Sequence, residues 1–450
     1  MSDLHDIAAR LDRLPSHSTW HAKIAAILGT VVFCDCFIQY VGSSMLTDLL
    51  KSGWSTLELN TLSISLTMLG YAIGSFVGGV VADRYGRRKG LIGSTAVYTT
   101  FVFVAAASPS MECLIACRLG MGVGLGAALT ISYGCLPEYT PSRARGYYAG
   151  LVGLIGNFSP PLGCFCVVAL TPIVGWRVIY VLLGVMGLIA LVSTVRFFSE
   201  SPRWLASCGK AAEADDVVSG IEKSFLKEGI SLSRIRCYTA PREERANFTV
   251  ATLLKRPFRR RLIVVSCALF TMNMLVYTVT NWTPAILAMQ GWDTSLSLGV
   301  TGVILLGAPF GILLLVVFAD KHGRKLGLIV GLVILAVLSA AWSVTPLSLT
   351  PEVVLLGFVL CACLYYYALL VCSVYVGELF PTEIRMTGVG ISNAIGRTAS
   401  ILSPYLVVSV LDSFGLGAVY IGCSVACLVT ALVVGLLGTE TRYRPLEDIS

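Results

Sequence analysis

The sequence predicts an all-α membrane protein in which twelve transmembrane helices form two similar bundles of six. The 450 residues are 56% hydrophobic and only 13% charged, and the mean hydropathy is +0.79. Because soluble domains carry about 25% charged residues, this composition indicates an integral membrane protein. The apolar runs are about 20 residues long and contain Gly and Pro, which favours spanning helices over the shorter strands of a barrel.

Two features of the sequence occur twice at nearly the same spacing. One is a tight basic turn between long apolar runs, found at 78–89 and again at 318–325. The residues that recur, at offsets of 237 or 240, are Asp83 and Asp320, Glu138 and Glu378, and Arg145 and Arg385. Repetition of unrelated features at one spacing indicates two similar halves. In membrane proteins such halves are typical of transporters, whose substrate site lies between them.

The apolar runs divide the chain into five regions. We predict a tail at 1–21, an N-terminal bundle at 22–198, a linker at 199–259, a C-terminal bundle at 260–438 and a second tail at 439–450. The predicted spans are 22–46, 60–82, 90–108, 112–136, 146–171, 177–198, 260–289, 297–319, 326–345, 352–377, 386–411 and 416–438. The linker is expected to form short amphipathic helices. It acts either as a latch between the bundles or as a solvated connection.

The distribution of basic residues predicts the orientation. With twelve spans, the loops on one side of the membrane carry only Lys51 and Arg177, and nearly all other Lys and Arg lie on the side with both termini. The positive-inside rule places that side in the cytoplasm. The chain begins with a polar segment that contains Arg10, Asp12 and Arg13, which predicts a cytoplasmic tail and no cleavable signal peptide.

The composition argues against several other classes of protein. The net charge of +7 follows from the positive-inside pattern and does not indicate nucleic-acid binding. Most of the 15 Cys fall in predicted spans and the chain has only 4 His, so no metal-ligand set is formed. No nucleophile–base set is found either. We therefore expect no enzymatic activity, no metal and no cofactor.

Several motifs resemble those of the major facilitator superfamily. The doubled basic turn is similar to the superfamily's loops between the second and third helices and between the eighth and ninth. The segments 200–205 (Glu-Ser-Pro-Arg-Trp-Leu) and 375–385 resemble its sugar-porter and organic-ion branches. The start of the chain at 9–15 and the short outer loop at 47–59 are similar to bacterial metabolite and aromatic-acid proton symporters. These include niacin (nicotinate) transporters, which are related to organic-anion carriers.

The resemblance implies a multi-pass protein of the bacterial inner membrane that works by alternating access, and we expect a monomer. It also implies salt bridges between cytoplasmic helix ends, which hold the outward-open state and break when the transporter switches. The residues at those gating positions are Asp83, Arg87, Glu138, Arg145, Asp320, Arg324, Glu378 and Arg385. The alternative is that these charges only satisfy the positive-inside rule.

Three ionisable residues lie well inside predicted spans: Asp35 in span 1, Arg118 in span 4 and Arg397 in span 11. An ionised side chain at mid-bilayer costs at least about 2.5–3.5 kcal/mol, so such residues are functional candidates. In related proton symporters an acid of span 1 faces an Arg of span 4, and Arg118 stands in the same register to Glu138. The resemblance implies that Asp35 takes a proton when Arg118 swings away. The alternative is a static buried ion pair.

Arg397 is the candidate for substrate binding. Its own span has no acid close by, and the small residues around it suggest a face that is open to a cavity. The planar fork of a guanidinium suits a carboxylate, and the resembled organic-anion transporters use an Arg of span 11 in this way. The repeat offset of 240 places Asn157 of span 5 opposite it. Alternatively, Arg397 pairs with Asp35 or with backbone carbonyls.

Aromatic and amide side chains complete the predicted substrate site. They are Asn273, Tyr277, Asn281 and Trp282 in span 7, Tyr366 in span 10, and Phe37, Gln39 and Tyr40 in span 1. The spacing of Asn273, Tyr277 and Asn281 puts these three on one helix face. For any single aromatic residue, ordinary packing is the alternative. Together with one spare cation, the set favours a small flat aromatic anion.

The sequence thus predicts a proton-coupled secondary transporter that imports a small aromatic or organic carboxylate such as nicotinate. Its partners would be that anion, protons and the lipid bilayer. Sugar transport is one alternative, although span 7 lacks the paired Gln of the resembled sugar porters, and Gln39 and Gln290 are the only glutamines. Organic-cation or drug transport would need an uncompensated acid, whereas Arg118 is expected to compensate Asp35. A transporter-like receptor is the last alternative, against which the intact doubled turns argue.

Overall fold

The computed structural model describes residues 7, 9–11, 13–15, 18–141, 144–227, 253, 255–256, 258–279, 294–318, 323–345, 351–381 and 384–441. Every regular secondary-structure element within these residues is a helix. Among the predicted site residues, Asn281, Trp282 and Asp320 lie outside the described residues.

Six spans form the N-terminal bundle. Spans 1 to 4 are the helices Thr19–Lys51, Leu57–Tyr85, Arg87–Ala106 and Met111–Tyr139. Span 5 consists of Arg145–Asn157 and the first part of Ser159–Phe197, and span 6 is the remainder of that second helix. The division falls at Gly175, whose φ of 76° interrupts the helical backbone.

The C-terminal bundle repeats this arrangement. Spans 7 to 9 are Phe258–Tyr277, the pair Thr294–Leu305 and Gly307–Phe318, and Arg324–Val344. Span 10 comprises Pro351–Leu369, a π-helical turn at Leu370–Tyr375 and Val376–Glu378, while spans 11 and 12 are Arg385–Phe414 and Leu416–Leu437. Each predicted span thus coincides at least in part with a helix. Within the described residues, ten helices, or eleven with one bent pair, are long and apolar enough to cross a membrane.

A glycine with a positive φ lies in each copy of the basic turn. Gly86 has a φ of 105° between spans 2 and 3, and Gly323 has a φ of 27° before span 9. Only glycine adopts such angles at little cost, so the chain can change direction within a single residue. As a result, Arg87 and Arg324 each occupy the first turn of a span.

Spans 2 and 11 make a close contact between the two bundles. A Cβ atom placed on Gly390 would collide with the backbone carbonyl of Ser75. Small residues are what permit membrane helices to approach this closely. Tyr71 lies one helical turn from Ser75 along span 2, and Arg397 lies about two turns from Gly390 along span 11. Because the two spans are antiparallel, both residues lie on the same side of the contact. The helix contact therefore positions Tyr71 and Arg397 opposite each other.

A second, smaller core joins the start of the chain to the linker. Its buried residues are Ile7, Leu11, Leu14, Trp204, Leu205, Ala206, Ala214, Val218, Ile221 and Phe225. The last seven lie in the linker helices Pro202–Ser207 and Ala211–Lys227. Arg10 and Arg13 bind the carboxylate of Glu222 at 2.9 Å and 2.6 Å. We call this unit the N-terminal clasp.

Candidate functional site

Five polar side chains from both bundles meet within the spans, and we call them the central cluster. They are Asp35 and Gln39 of span 1, Tyr71 of span 2, Tyr277 of span 7 and Arg397 of span 11. The hydroxyl of Tyr71 donates to Oδ1 of Asp35 at 3.1 Å. The guanidinium carbon of Arg397 lies 4.8 Å from the centroid of the Tyr71 ring. The hydroxyl of Tyr277 accepts hydrogen bonds from Nη1 of Arg397 at 3.4 Å and from Nε2 of Gln39 at 3.0 Å.

Tyr71 stands between the acid and the cation of this cluster. Its ring face makes a cation–π contact with Arg397, while its hydroxyl binds Asp35. In the described part of the chain, no carboxylate oxygen lies within 4.0 Å of a guanidinium nitrogen of Arg397, so Arg397 forms no ion pair there. The charge of Arg397 nevertheless acts on Asp35. The two residues therefore interact through space and through the tyrosine, without direct contact.

Burial differs sharply between these groups. Asp35 is 1% exposed, whereas Arg397, Tyr277 and Gln39 are only partly buried. Arg397 lies over a tyrosine of the opposite bundle, so its guanidinium is at the interface between the bundles. Among the described residues, only Nη1 of this guanidinium has a hydrogen-bond partner. In this conformation an anion that binds Arg397 would therefore not have to displace a carboxylate of the described residues.

Buried ion pairs join the bundles at the span ends that carry the basic turns. Nη1 of Arg385 in the C-terminal bundle donates to Oε1 of Glu138 in the N-terminal bundle at 2.8 Å. Nη2 of Arg87 donates to the same oxygen at 2.8 Å. In the other bundle, Glu378 lies 3.6 Å from Arg145 and 3.6 Å from Arg324. Since buried charges are stable only when paired, these contacts hold the bundles together.

Asp83 adds a third contact between the bundles at the same end. Its carboxylate accepts the backbone N–H of Met386 at 3.2 Å and that of Thr387 at 2.6 Å. These amides lie in the first turn of span 11, where free N–H groups and the helix dipole favour a negative charge. All three sets of contacts are formed in this structure, and we call the contacts of Asp83, Glu138 and Glu378 the inner gate after the role expected of these residues from the sequence.

Two further carboxylates cap helices in the equivalent places of the two halves. Glu200 accepts the backbone N–H of Arg87 at 2.7 Å, and Glu440 accepts that of Arg324 at 2.7 Å. Burial raises the pKa of the Glu200 carboxyl above its usual value. Sequence reasoning assigned no role to either residue. The signal was available, because Glu200 and Glu440 stand at the repeat offset of 240.

Comparison with known proteins identifies the family. A family model described as sugar (and other) transporter matches residues 23–450. The chain belongs to the sugar (and other) transporter family. The transporter is 34% identical to the inner membrane metabolite transport protein YdjE of Escherichia coli over 452 residues, with 100% of this chain and 99% of YdjE covered. It is 23% identical to the niacin transporter NiaP of Acinetobacter baylyi over 449 residues, with 99% of each chain covered.

A solved structure establishes the fold. The transporter superimposes on the proton:xylose symporter XylE with a TM-score of 0.76 at 20% identity, covering 96% of this chain and 98% of XylE. XylE is a major facilitator superfamily protein, so the predicted fold class of two six-helix bundles is confirmed. The family and the relatives named here are transporters, which also confirms the prediction that this protein is not an enzyme.

The sequence predicted that Asp35 and Arg118 form a pair, but in this structure each has other partners. Nε of Arg118 donates to Oγ1 of Thr67 at 3.1 Å, and its Nη1 donates to the backbone carbonyl of Gly42 at 2.5 Å. Gly42 lies about two helical turns, or about 10 Å, from Asp35 along span 1. The guanidinium therefore sits at another depth in the bundle. In this conformation the hydrogen-bond partner of Asp35 is Tyr71.

Two predicted amides do not reach the central cluster. The side chain of Asn157 donates to the carbonyl of Gly153 in its own helix. Asn273 is 2% exposed, and its side-chain oxygen accepts a hydrogen bond from Ser400 of span 11 at 3.4 Å. Asn273 thus links two helices of the same bundle, and its packing role replaces the predicted substrate contact in this conformation.

The predicted aromatic residues divide between the cluster and the surrounding helices. Tyr277 belongs to the cluster, and the hydroxyl of Tyr40 lies 3.4 Å from that of Tyr365, which bridges spans 1 and 10 beside it. Phe37 is buried and stacks on Phe33 with ring centroids 5.5 Å apart. Tyr366 points to Gly327 of span 9. Of these two neighbouring tyrosines, Tyr365 therefore faces span 1 and Tyr366 faces span 9.

Tyr71 is the residue of the cluster that the sequence prediction omitted. Gln39, which follows Asp35 by four residues and so shares its helix face, was among the predicted polar side chains. A signal existed for Tyr71 as well. Tyr71 is an isolated tyrosine within an apolar span, and a buried tyrosine hydroxyl normally needs a polar partner. Asp35 was the acid able to satisfy it.

Proposed function

We propose that the transporter imports a small organic carboxylate, such as the aromatic acid nicotinate, together with protons. The observation that carries this proposal is the guanidinium of Arg397, which lies between the bundles and forms an ion pair with no carboxylate of the described residues. A cation in a low-dielectric site is stabilised by an anion, and the guanidinium fork binds both oxygens of a carboxylate. The flanking rings of Tyr71 and Tyr277 suit a flat aromatic group.

The proposal agrees with the comparisons at the level they reach. NiaP is named as a niacin transporter and is similar along the whole chain. YdjE is named as a metabolite transport protein, which fits a small organic substrate. The central cluster lies within one chain, which supports a monomer as the transporting unit.

The inner gate supports alternating access as the mechanism. Its buried ion pairs close the end of the bundles that carries the basic turns, and we assign that end to the cytoplasm with both termini. Substrate release on that side requires the pairs of Glu138 and Glu378 to separate. In the opposite conformation they would have to find water or other partners, because unpaired buried charges are strongly destabilising. Asp83, Arg87, Arg145, Arg324 and Arg385 complete this gate.

A binding screen tests the substrate class. A ligand that binds only the folded protein stabilises it by about 2.7 kcal/mol at a concentration one hundred times its Kd. Nicotinate should therefore raise the thermal stability of the purified transporter, whereas nicotinamide, which keeps the ring but not the charge, should not. Xylose and the cation tetraethylammonium complete the screen.

Two variants sharpen this test. Arg397→Ala should abolish stabilisation by nicotinate. Thr398→Ala is the matched control, because Thr398 is the next residue of the same helix, is exposed and bonds only within that helix. It should respond as the natural protein does. Stabilisation by nicotinate that survives in Arg397→Ala would reject the proposed anion site.

A sugar is the second candidate substrate. The fold match to a xylose symporter and the hydrogen-bonding side chains of Gln39, Tyr40 and Tyr277 favour it. In that case xylose or another sugar would stabilise the protein in the same screen. Gln39→Ala would then remove the effect, and Arg397→Ala would leave most of it.

A further inference from the structure

The guanidinium of Arg397 lies where it can compensate the negative charge of both Asp35 and a bound substrate. We propose that Asp35 and the substrate carboxylate share the compensating charge of Arg397 across Tyr71, so that binding the anion makes Asp35 take up one proton. This inference rests on the proposed function and adds to it the residues that link the anion to the proton. It replaces Arg118 with Arg397 as the cation that controls Asp35.

The arrangement without substrate supports this assignment. Asp35 is 1% exposed and accepts a hydrogen bond from Tyr71 at 3.1 Å. A buried carboxylate keeps its charge only where hydrogen bonds and a nearby cation compensate it. Arg397 lies directly behind the Tyr71 ring, at 4.8 Å from its centroid. Arg118 is engaged with Gly42, about two turns away along span 1.

Charge balance explains why a proton should follow the anion. Before binding, Asp35 and Arg397 together carry no net charge. A substrate carboxylate that binds Arg397 adds one negative charge, and a like charge near Asp35 disfavours its ionised form. A proton from water then bonds to Oδ2 of Asp35, the oxygen to which Tyr71 does not donate. The cluster is again neutral, which a low-dielectric site favours.

Other titratable groups around the cluster do not compete for this proton. Those that act electrostatically on Asp35 or are acted on by it are Cys34 and Cys36 of span 1, Tyr71 of span 2, Tyr98 of span 3, Tyr133 of span 4 and Arg397 of span 11. Tyr277 of span 7 and Cys372 of span 10 face Arg397. Thiols and phenols ordinarily lose their protons above neutral pH. Asp35 is therefore the group in this set that can gain a proton near neutrality.

Calorimetry of the full-length purified transporter tests the inference. Nicotinate is titrated in two buffers of different ionisation enthalpy at the same pH, and the difference in heat gives the number of protons taken up. We expect about one proton per nicotinate. The Kd should rise by up to about tenfold per pH unit in the range where Asp35 is ionised without ligand.

Variants separate the residues involved. Asp35→Asn mimics the protonated acid, so it should bind nicotinate with no proton uptake and with a Kd independent of pH. Tyr71→Phe keeps the ring but loses the hydrogen bond to Asp35, which should move the pH dependence to higher pH. It serves as the second test should Asp35→Asn fail to fold. Arg118→Gln should leave both proton uptake and pH dependence unchanged.

The possible results distinguish this inference from the proposed function. Nicotinate binding without proton uptake, or proton uptake that persists in Asp35→Asn, would overturn the inference and leave the carboxylate site intact. Loss of proton uptake in Arg118→Gln would return the coupling role to Arg118. If neither nicotinate nor benzoate binds the natural protein, the proposed function fails and the inference fails with it.

Discussion

Arg385 and Glu138 form an ion pair across the interface between the bundles, with Nη1 and Oε1 2.8 Å apart and both side chains 0% exposed. Glu138 also binds Arg87 of its own bundle through the same oxygen. One buried carboxylate therefore compensates the charge of two buried guanidinium groups. Its removal would affect both bundles at once, which makes Glu138 the most informative position of the inner gate.

Glu138→Gln should open the inner gate. The neutral amide leaves Arg87 and Arg385 undercompensated, and breaking a buried ion pair in this way costs about 3–5 kcal/mol. The bundles can avoid that cost by separating. We expect faster hydrogen–deuterium exchange at the amides of Met386 and Thr387, which Asp83 protects in the closed state.

The control for this change is Glu213→Gln. Glu213 pairs with Lys210 at 3.0 Å, but both side chains are at least 50% exposed. Exposed pairs contribute about 0–1 kcal/mol, so exchange at the start of span 11 should stay as in the natural protein. Unchanged exchange there in Glu138→Gln would show that this ion pair does not keep the gate closed.

Gly390→Ala should disturb the contact between spans 2 and 11. Its new Cβ would collide with the backbone carbonyl of Ser75, which cannot move without moving span 2. We expect a lower thermal stability and weaker closure of the inner gate. Gly422→Ala is the matched control, because nothing lies within 4 Å of a Cβ at that helical position.

The control variant should be neutral or slightly stabilised, since alanine has the higher helix propensity by up to about 1 kcal/mol. Scanning calorimetry or intrinsic fluorescence of both variants measures the difference. An equal effect of the two alanines would mean that the close approach of Gly390 to Ser75 does not matter for stability.

The spans and the grouping of charged residues at one end of them could be predicted because their signals are local or repeated. A run of apolar residues as long as the bilayer is thick needs no knowledge of its neighbours. Glu138, Arg145 and their copies recur at a fixed offset, so one half of the chain supports the interpretation of the other. Those residues lie together in the structure at the same end of both bundles.

The partners inside the central cluster could not be predicted in the same way. Which acid pairs with which cation depends on the depth and the rotation of four helices. Neither the depth nor the rotation can be deduced from a single stretch of sequence. Arg118 has the expected register to Glu138, yet its guanidinium lies beside Gly42 and not beside Asp35. Of three consecutive tyrosines in span 10, helix rotation selects Tyr365 and turns Tyr366 towards span 9.

Arg10→Ala should release the N-terminal clasp. Arg10 binds Glu222 at 2.9 Å and Ser219 at 3.0 Å, and it also pairs with Asp215. Hydrogen bonds to charged groups contribute about 1.5–3 kcal/mol. We therefore expect at least about tenfold faster hydrogen exchange in the helix Ala211–Lys227. Lys210→Ala, which removes only an exposed pair, is the control.

The clasp should also respond to pH. Although burial acts to raise it, the hydrogen bonds of Arg10 and Arg13 lower the pKa of Glu222 below its usual value. A carboxyl whose pKa is lowered by folding stabilises the fold above its ordinary pKa of about 4.3, and this stabilisation is lost as the pH falls through the lowered value. Protection of the clasp amides, measured relative to the intrinsic exchange rate at each pH, should therefore fall in acid. Arg10→Ala should show a smaller fall in protection, and an equal one would contradict this role of Glu222.

Tyr277→Ala should weaken the binding of nicotinate more than that of propionate. Both acids present a carboxylate to Arg397, so losing the hydroxyl that Arg397 contacts affects them alike. Only nicotinate can also stack on the Tyr277 ring, and an aromatic pair contributes about 0.5–1.5 kcal/mol, or roughly two- to tenfold in Kd.

The ratio of the two Kd values therefore isolates the contribution of the ring. Tyr277→Phe keeps the ring and should leave the ratio as it is in the natural protein, while both acids bind less tightly. Tyr366→Ala should also preserve the ratio, because Tyr366 points towards Gly327 and away from the central cluster. A ratio that is unchanged in Tyr277→Ala would mean that the substrate ring lies elsewhere in the space between the bundles, and Tyr71 would then be the next ring to test by the same comparison.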